Sequence, residues 1–266
     1  MHLKDRVRHV RRVPRAARLR TVIAASALAG IAAGSAACAR QQTTTAATPR
    51  TARSTESRIN RLTRAEERAG WKLLFDGKTL KGWRGFRSED VPTGWEVRDG
   101  VLWRIASGGD LLTARRYRNF ELSLDWNISA GGNSGILYRV LDAGGAPYES
   151  GPEMQVLDDA RHPDGRSRLT AAGSVFGLYP VPAGIVRPAG EWNTVRIVVD
   201  GNHVQHWLNG HKVVDYQLGS PDWAQRVANS KFRQWPLYGT AREGFIALQD
   251  HESDVAFRNI KIKVLP

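Results

Sequence analysis

The chain has 266 residues, of which 41% are hydrophobic and 24% charged, so most of it can bury a core. Its formal net charge of +13 alone favours a nucleic-acid-binding protein. However, residues 1–70 hold 15 Lys/Arg and 4 Asp/Glu, a net charge of +11, whereas residues 71–266 hold 24 and 22, a net charge of +2. The basic character therefore belongs to the N-terminal part, and composition excludes nucleic acid as the expected partner.

The N-terminal region has the order of parts typical of a secretory signal peptide. Arginines dominate residues 1–20, and residues 21–37 are uncharged and rich in Ala. A transmembrane helix is the alternative, but the run is at the lower limit of the roughly 20 apolar residues that span a bilayer. We therefore predict a signal peptide at residues 1–37.

The single cysteine, Cys38, follows this apolar run. One cysteine cannot form an intramolecular disulfide, and it excludes a Cys-rich zinc site. The preceding Ser35-Ala36-Ala37 resembles a bacterial lipobox, with Ser35 where Leu is usual. We predict cleavage before Cys38 and lipidation of its thiol, which would anchor the protein on the periplasmic side of a bacterial cell envelope. Ordinary signal-peptide cleavage after Ala39 is the alternative.

Residues 38–65 are predicted to form a disordered tether after the lipidated cysteine. Small and polar side chains dominate its first two thirds, which cannot bury enough apolar surface to fold. Thr63 and Glu66 have the spacing of a capping box and predict one short helix over residues 61–69. The predicted folded domain occupies residues 66–266.

From residue 71 the chain changes to the period-two pattern of half-buried antiparallel strands. The clearest strand covers residues 120–129, and its predicted core face consists of Phe120, Leu122, Leu124, Trp126 and Ile128. Further strands are predicted at 136–141, 154–157, 192–200, 204–208, 212–216, 245–249 and 255–264.

Turn signals separate these strands. Asn209-Gly210 and Asp99-Gly100 are typical of tight hairpin turns. Residues 219–242 lack alternation and are predicted to form a long loop or a short helical turn packed on the sheets. Many short strands without a long helix predict an all-β, jelly-roll-like sandwich.

Familiar catalytic motifs are absent from the sequence. It contains no P-loop, no Gly-rich dinucleotide loop, no His-Glu-x-x-His and no Gly-x-Ser-x-Gly. The Glu-x-Asp-x-x-Glu strand of laminarinase-type glycosidases is also missing, which disfavours a two-carboxylate retaining mechanism.

Three polar segments remain as candidate sites. Arg139 interrupts an apolar strand, where an arginine needs a partner or a ligand. Glu153 and Gln155 share one face of an extended strand, which indicates either a sugar- or metal-binding surface or a solvated face. His251 follows an apolar strand and is a candidate base, metal ligand or ordinary hydrogen-bonded histidine.

Taken together, ordered motifs over residues 66–264 resemble the 3-keto-disaccharide hydrolase domain family, long listed as a domain of unknown function. They are the segments 70–80 and 82–83, Asn133-Ser134-Gly135-Ile136 with Tyr138-Arg139, the segment 151–158, Glu191-Trp192-Asn193, Asn209-Gly210, Leu248-Gln249-Asp250-His251, and the segment 257–260. The resemblance implies a concanavalin- or laminarinase-like jelly roll. This chain departs from the pattern at Glu252, where Gly is expected after the histidine.

The resemblance also implies a chemistry, namely cleavage of 3-keto-glycosides by C2 proton abstraction, elimination and hydration. His251 or Glu153 is the implied base, and Arg139 the implied partner of the ketone or enolate. The implied substrate-binding residues are Asn133, Tyr138, Gln155, Asp158 and Gln249. A divalent cation held by Glu153, Asp158 and His251 is an open alternative.

Two non-enzymatic functions compete with this hypothesis. A carbohydrate-binding sandwich displayed on the envelope would show an exposed aromatic platform, and a purely structural protein would show no polar cavity. An enzyme would bring Arg139, Glu153 and His251 into one cavity.

Overall fold

The computed structural model describes residues 59–266, and the predicted signal peptide, Cys38 and most of the predicted tether lie outside this part. The described part folds as two antiparallel sheets with few helices. Its strands are β1 Trp71–Leu73, β2 Trp83–Gly85, β3 Trp95–Arg98, β4 Val101–Arg104, β5 Leu111–Thr113, β6 Phe120–Ile128, β7 Asn133–Val140, β8 Glu153–Leu157, β9 Asn193–Asp200, β10 His203–Leu208, β11 His211–Gln217, β12 Phe245–Leu248 and β13 Val255–Val264. The helices are α1 Arg64–Arg68 and α2 Pro221–Ala228, with 3₁₀ turns at Pro147–Glu149, Pro163–Arg166 and Lys231–Gln234.

The two sheets stack as a sandwich. The larger sheet has the order β11-β10-β9-β6-β13-β4-β3, and β1 also pairs with β13. The smaller sheet has the order β2-β5-β12-β7-β8. Sequential strands often lie in different sheets, as in a jelly roll, so the predicted all-β fold class is confirmed.

Strand β6 shows why the alternation predicted this fold. Its five apolar side chains are at most 1% exposed and lie in the main core, as predicted. On the opposite face Glu121 is partly exposed, whereas Asp125 is buried. The Asp125 carboxylate accepts hydrogen bonds from Thr194 Oγ1, Arg258 Nε and Asn259 Nδ2, which compensates for its desolvation.

Both predicted hairpin turns are confirmed. Asn209 and Gly210 link β10 to β11 with φ of 49° and 84°. Asp99 and Gly100 link β3 to β4 with φ of 50° and 77°. Two successive residues with positive φ match the right-handed twist of the paired strands.

The N-terminal edge of the described part packs against β13. Helix α1 begins with the predicted capping box, in which Thr63 and Glu66 exchange side-chain to backbone hydrogen bonds. Asn60 is buried, and its backbone N–H donates to Asn259 Oδ1 at 2.7 Å. Ordered contacts therefore extend back to Asn60, inside the segment predicted as tether.

The segment before β12 carries the longest helix of the described residues. Helix α2 is capped by Ser220, whose hydroxyl accepts the N–H of Trp223, and the 3₁₀ turn Lys231–Gln234 follows. This agrees with the predicted short helical element in residues 219–242. No helix within residues 59–266 is long and apolar enough to cross a membrane.

Strand register decides which side chains of the smaller sheet point away from the core. Ile136 pairs with Met154, and both lie in the core between the sheets. Gly135 pairs with Gln155 and Leu137 with Glu153, so these residues face the other way. The smaller sheet thus presents Glu153 and Gln155 on its outer face.

Candidate functional site

A cavity of about 280 Å³ lies over this outer face and is called here the Glu153 cavity. Its sheet-side lining is polar and comes from β7, β8 and the end of β12. These residues are Asn133, Glu153, Gln155, Gln249 and His251. The structure therefore brings together residues from three sequence segments that are far apart in the chain.

Loops and 3₁₀ turns form the remaining walls of the Glu153 cavity. Tyr148 and Asp164 each belong to a 3₁₀ turn, and Phe176 belongs to the strand-like segment beside β8. Lys231 and Phe232 begin the 3₁₀ turn after α2. The cavity thus has apolar and aromatic walls around a polar floor, as ligand sites commonly do.

Glu153 begins β8 and lies over Gly135 of the neighbouring strand. A Cβ at position 135 would overlap Oε1 of Glu153 and would lie 2.7 Å from its Cδ. Only glycine therefore leaves room for the carboxyl group in this position. Gly135 therefore determines the position of the Glu153 side chain, because any larger residue would displace it.

Burial raises the pKa of Glu153 to about 8. The side chain is almost fully enclosed, which disfavours the charged form, and Asp110 and Asp164 raise the pKa further. The ammonium group of Lys231 acts in the opposite direction. Glu153 thus exchanges its proton close to neutral pH, where general acids and bases are most effective.

Two amide side chains in the cavity lack hydrogen-bond partners. Gln155 is 1% exposed, yet its Oε1 and Nε2 contact no donor or acceptor in the described part of the chain. Oε1 of Gln249 is likewise buried without a partner. Leaving such groups unpaired is unfavourable, so they are suited to hydrogen-bonding a bound polar molecule.

Lys231 places a positive charge at the cavity. Its Nζ lies 4.4 Å from the ring centroid of Phe176 and 5.3 Å from that of Phe232. These cation–π contacts fix the side chain beside the opening without neutralising it. Lys231 is the one Lys or Arg among the described residues that line this cavity.

The loop that carries His251 is anchored by its neighbour Asp250. The Asp250 carboxylate accepts from Arg104 Nε at 2.6 Å and from the N–H groups of Gly108 and Gly109 at 2.9 Å. The Asp250 N–H donates to Asp110 Oδ1 at 2.7 Å. Burial raises the pKa of Asp110 to about 6. The imidazole of His251 is exposed at the rim of a well-supported loop.

Comparison with known proteins assigns this chain to a family. The family described as the 3-keto-alpha-glucoside-1,2-lyase-like domain matches residues 70–263. The chain belongs to this family. Membership identifies the protein as a carbohydrate-active enzyme and confirms the resemblance found in the sequence motifs.

Individual relatives agree with this assignment. The chain is 38% identical over 228 residues to a 3-keto-disaccharide hydrolase of Bacteroides thetaiotaomicron, an alignment that covers 74% of this chain and 79% of the relative. A crystal structure from Parabacteroides distasonis, provisionally described as a glycosyl hydrolase, has a TM-score of 0.74 and 39% identity and covers 78% of this chain and 100% of its own. A second structure from the same organism, with the same description, has a TM-score of 0.59 and 30% identity over 73% and 99% of the two chains.

Arg139 does not line the Glu153 cavity. The prediction that it shares one face with Glu153, Gln155 and His251 is therefore wrong. Residues 138 and 139 together oppose one residue of β12, which forms a β-bulge, and Arg139 has a φ of 54°. The bulge turns the side chain to the end of the sandwich, where its Nη2 donates to the carbonyl of Gly201.

Tyr138 and Asp158 also lie outside the Glu153 cavity, contrary to the prediction that they contact substrate. Tyr138 is fully buried between the sheets, and its hydroxyl contacts His206 Nε2 at 2.9 Å and Tyr216 OH at 2.6 Å. Asp158 accepts the N–H of Gly131 at 2.8 Å and supports the turn after β6. Both side chains therefore serve the fold.

The predicted metal set is not assembled either. Asp158 turns toward the Gly131 loop and does not line the cavity that contains Glu153 and His251. Within residues 59–266 no group of three or more His, Cys, Asp or Glu side chains could hold a metal ion. The described residues therefore do not fit the divalent cation suggested by the sequence.

Sequence reasoning missed half of the cavity lining. Lys231 and Phe232 lie in the segment without alternation, for which the sequence predicted only a long loop or a short helical turn. Tyr148 stands at the start of the polar segment that contains Glu153, but its role depends on the 3₁₀ turn at Pro147–Glu149. No motif or spacing in the sequence indicated that Asp164 and Phe176 line a cavity.

Proposed function

We propose that this protein cleaves 3-keto-disaccharides, with Glu153 as the base that removes the C2 proton. The single observation that carries the proposal is the buried Glu153 carboxyl, whose pKa is raised to about 8 in a cavity lined by unpartnered amides. The related Bacteroides protein is named for hydrolysis of such substrates, which supports the same substrate class here.

The first step is proton transfer from C2 to the Glu153 carboxylate. The C3 ketone acidifies this hydrogen, and the electrons of the C2–H bond move to form an enolate with negative charge on O3. We assign Lys231 to stabilise that charge, because it is the cation that lines the cavity. Gln155 and Gln249 are assigned to hold the ring hydroxyl groups, since their unpartnered amide atoms face the cavity.

The second step breaks the C1–O bond. The enolate electrons return to form a C1=C2 double bond conjugated with the ketone, and the second sugar leaves after its oxygen receives a proton. His251 is assigned as this proton donor because it lines the rim of the same cavity. Addition of water then places OH on C1 and H on C2, so the net reaction is hydrolysis.

A chromogenic 3-keto-α-glucoside in D₂O tests both the activity and the mechanism. We expect release of the aglycone and one deuterium at C2 of the sugar product, because C2 loses its hydrogen and regains one from solvent. Glu153→Gln should lower kcat by about 100-fold or more, as loss of a general base does. Exposed Glu243 provides the matched control, and Glu243→Gln should leave the rate unchanged.

Three results would contradict the proposal. Cleavage without deuterium at C2 would contradict exchange of the C2 proton with solvent, and full activity of Glu153→Gln would exclude Glu153 as the base. Binding of the 3-keto-glucoside without any turnover would instead favour the non-catalytic carbohydrate-binding function.

A further inference from the structure

A second cavity of about 600 Å³ lies on the other side of the 3₁₀ turn Lys231–Gln234 and is called here the Arg139 cavity. Lys231 and Phe232 line the Glu153 cavity, whereas the next residue, Arg233, lines the Arg139 cavity. The aromatic rings of Phe232 and Tyr238 stack at 4.1 Å between their centroids and separate the two spaces. The cavities are therefore adjacent but distinct.

Three arginines line the Arg139 cavity, namely Arg139, Arg233 and Arg242, and none of its described lining residues is an Asp or Glu. Within residues 59–266 none of the three guanidinium groups forms a salt bridge. Arg233 and Arg242 are exposed at the opening, whereas Arg139 lies deep inside. The cavity is consequently a concave surface with uncompensated positive charge.

Arg139 is the strongest evidence for a ligand. Its side chain is 2% exposed, and Nη2 donates to the carbonyl of Gly201 while Nε is buried without an acceptor. Burying a guanidinium group without a counter-ion is costly, so such groups are normally paired. The β-bulge, in which Arg139 has a φ of 54°, directs the guanidinium group toward the Arg139 cavity at the end of the sandwich.

Tyr238 also lines the Arg139 cavity. The hydroxyl of Tyr238 is enclosed and has no hydrogen-bond partner within the described chain. The ring of Tyr238 stacks on Trp223 at 5.7 Å with an angle of 1° between the planes. Leu218 and Val227 add apolar wall, so the cavity combines the unpaired positive charge of Arg139 with an apolar lining of ring-sized dimensions.

We propose that the Arg139 cavity binds a small organic oxyanion, a carboxylate or phosphate attached to a ring-sized body. Arginine presents a planar fork of N–H donors that matches the oxygens of both groups. Arg139 contacts the oxyanion, the two exposed arginines attract it, and the apolar wall contacts its ring. This site is separate from the proposed hydrolytic reaction, which needs no negative charge on its substrate.

Isothermal titration with four probes tests this proposal on the purified protein. Glucose 6-phosphate and glucuronate carry the two oxyanions on the same ring, inorganic phosphate lacks the ring, and glucose lacks the charge. We expect one site for at least one of the two sugar anions, weaker binding of phosphate and none of glucose. The sugar anion that binds more tightly identifies the preferred oxyanion.

Charge variants locate the binding. The double variant Arg233→Gln/Arg242→Gln should weaken binding of the sugar anion by about tenfold or more, because it removes the two positive charges that attract the anion to the opening. The control Arg64→Gln/Arg115→Gln removes the same charge from exposed positions outside both cavities and should leave Kd unchanged. Lys231→Met should also leave Kd unchanged, since Lys231 faces the other cavity.

The overturning results are equally specific. No binding of either sugar anion at about 10 mM would reject the site, as would equal binding of glucose. An equal loss of affinity in the Arg64→Gln/Arg115→Gln control would show that the protein's net charge, and not the Arg139 cavity, determines binding. A loss confined to Lys231→Met would place the anion in the Glu153 cavity.

Discussion

Replacing Glu153 with Gln should stabilise the protein at alkaline pH while removing the proposed base. Burial raises the pKa of this carboxyl from its ordinary value of 4.5 to about 8. Between these values the folded state keeps a proton that the unfolded state has released, so the free energy of unfolding falls by about 1.4 kcal/mol per pH unit. Across the whole interval the loss reaches about 5 kcal/mol as an upper value.

Gln has the shape of a protonated Glu but cannot ionise, so Glu153→Gln should escape this loss. Urea unfolding followed by tryptophan fluorescence should give similar stabilities for both proteins at pH 5. At pH 9 the variant should be more stable by several kcal/mol. Exposed Glu243 again supplies the control, and Glu243→Gln should follow the wild-type curve. Parallel pH dependence of wild type and Glu153→Gln would refute the argument that burial controls this carboxyl.

Three further predictions concern other parts of the chain. Gly135→Ala should lower kcat by about 100-fold with the fold retained by circular dichroism, because the new Cβ displaces the Glu153 carboxyl; full activity would contradict the role of Gly135. Arg104→Met should lower the free energy of unfolding by about 3–5 kcal/mol in urea, because Asp250 loses its buried partner, whereas exposed Arg98→Met should change it by less than about 0.5 kcal/mol; equal effects would contradict this. Mass spectrometry of the mature protein should find lipid on Cys38 at the N-terminus, and an unmodified chain beginning at Arg40 would exclude the envelope anchor.

The sequence predicted the sandwich because strands with one buried face alternate apolar and polar residues. Each apolar residue of β6 lies in the core, and both tight turns contain the Asn-Gly or Asp-Gly pair that positive φ requires. Asp125 departs from the pattern, since its burial depends on Arg258 and Asn259 of a strand more than 130 positions away. Local alternation cannot encode such a partner.

The candidate site was predicted in part, and the failures have a physical pattern. Glu153 and Gln155 were found because a regular strand fixes the direction of their side chains, and His251 was found because it closely follows the apolar strand β12. Arg139 was misplaced because a bulge inserts one residue and cancels the alternation beyond it. Lys231 was missed because it lies on a 3₁₀ turn, whose position relative to the sheet depends on tertiary packing.

Well-paired polar groups beside the Glu153 cavity contrast with the unpaired polar groups inside it. Glu153 is desolvated, and amide atoms of Gln155 and Gln249 have no hydrogen-bond partner within the described chain, so these groups favour contact with a bound polar molecule. The adjacent Asp250 carboxylate accepts hydrogen bonds from Arg104 and from the N–H groups of Gly108 and Gly109, which hold the His251 loop against the end of β4. A ligand that satisfies the amides would recover the unmade hydrogen bonds, whereas a flexible site would collapse and pair those groups internally. Hydrogen bonds that hold the surrounding loop in place would therefore keep these groups available to a ligand.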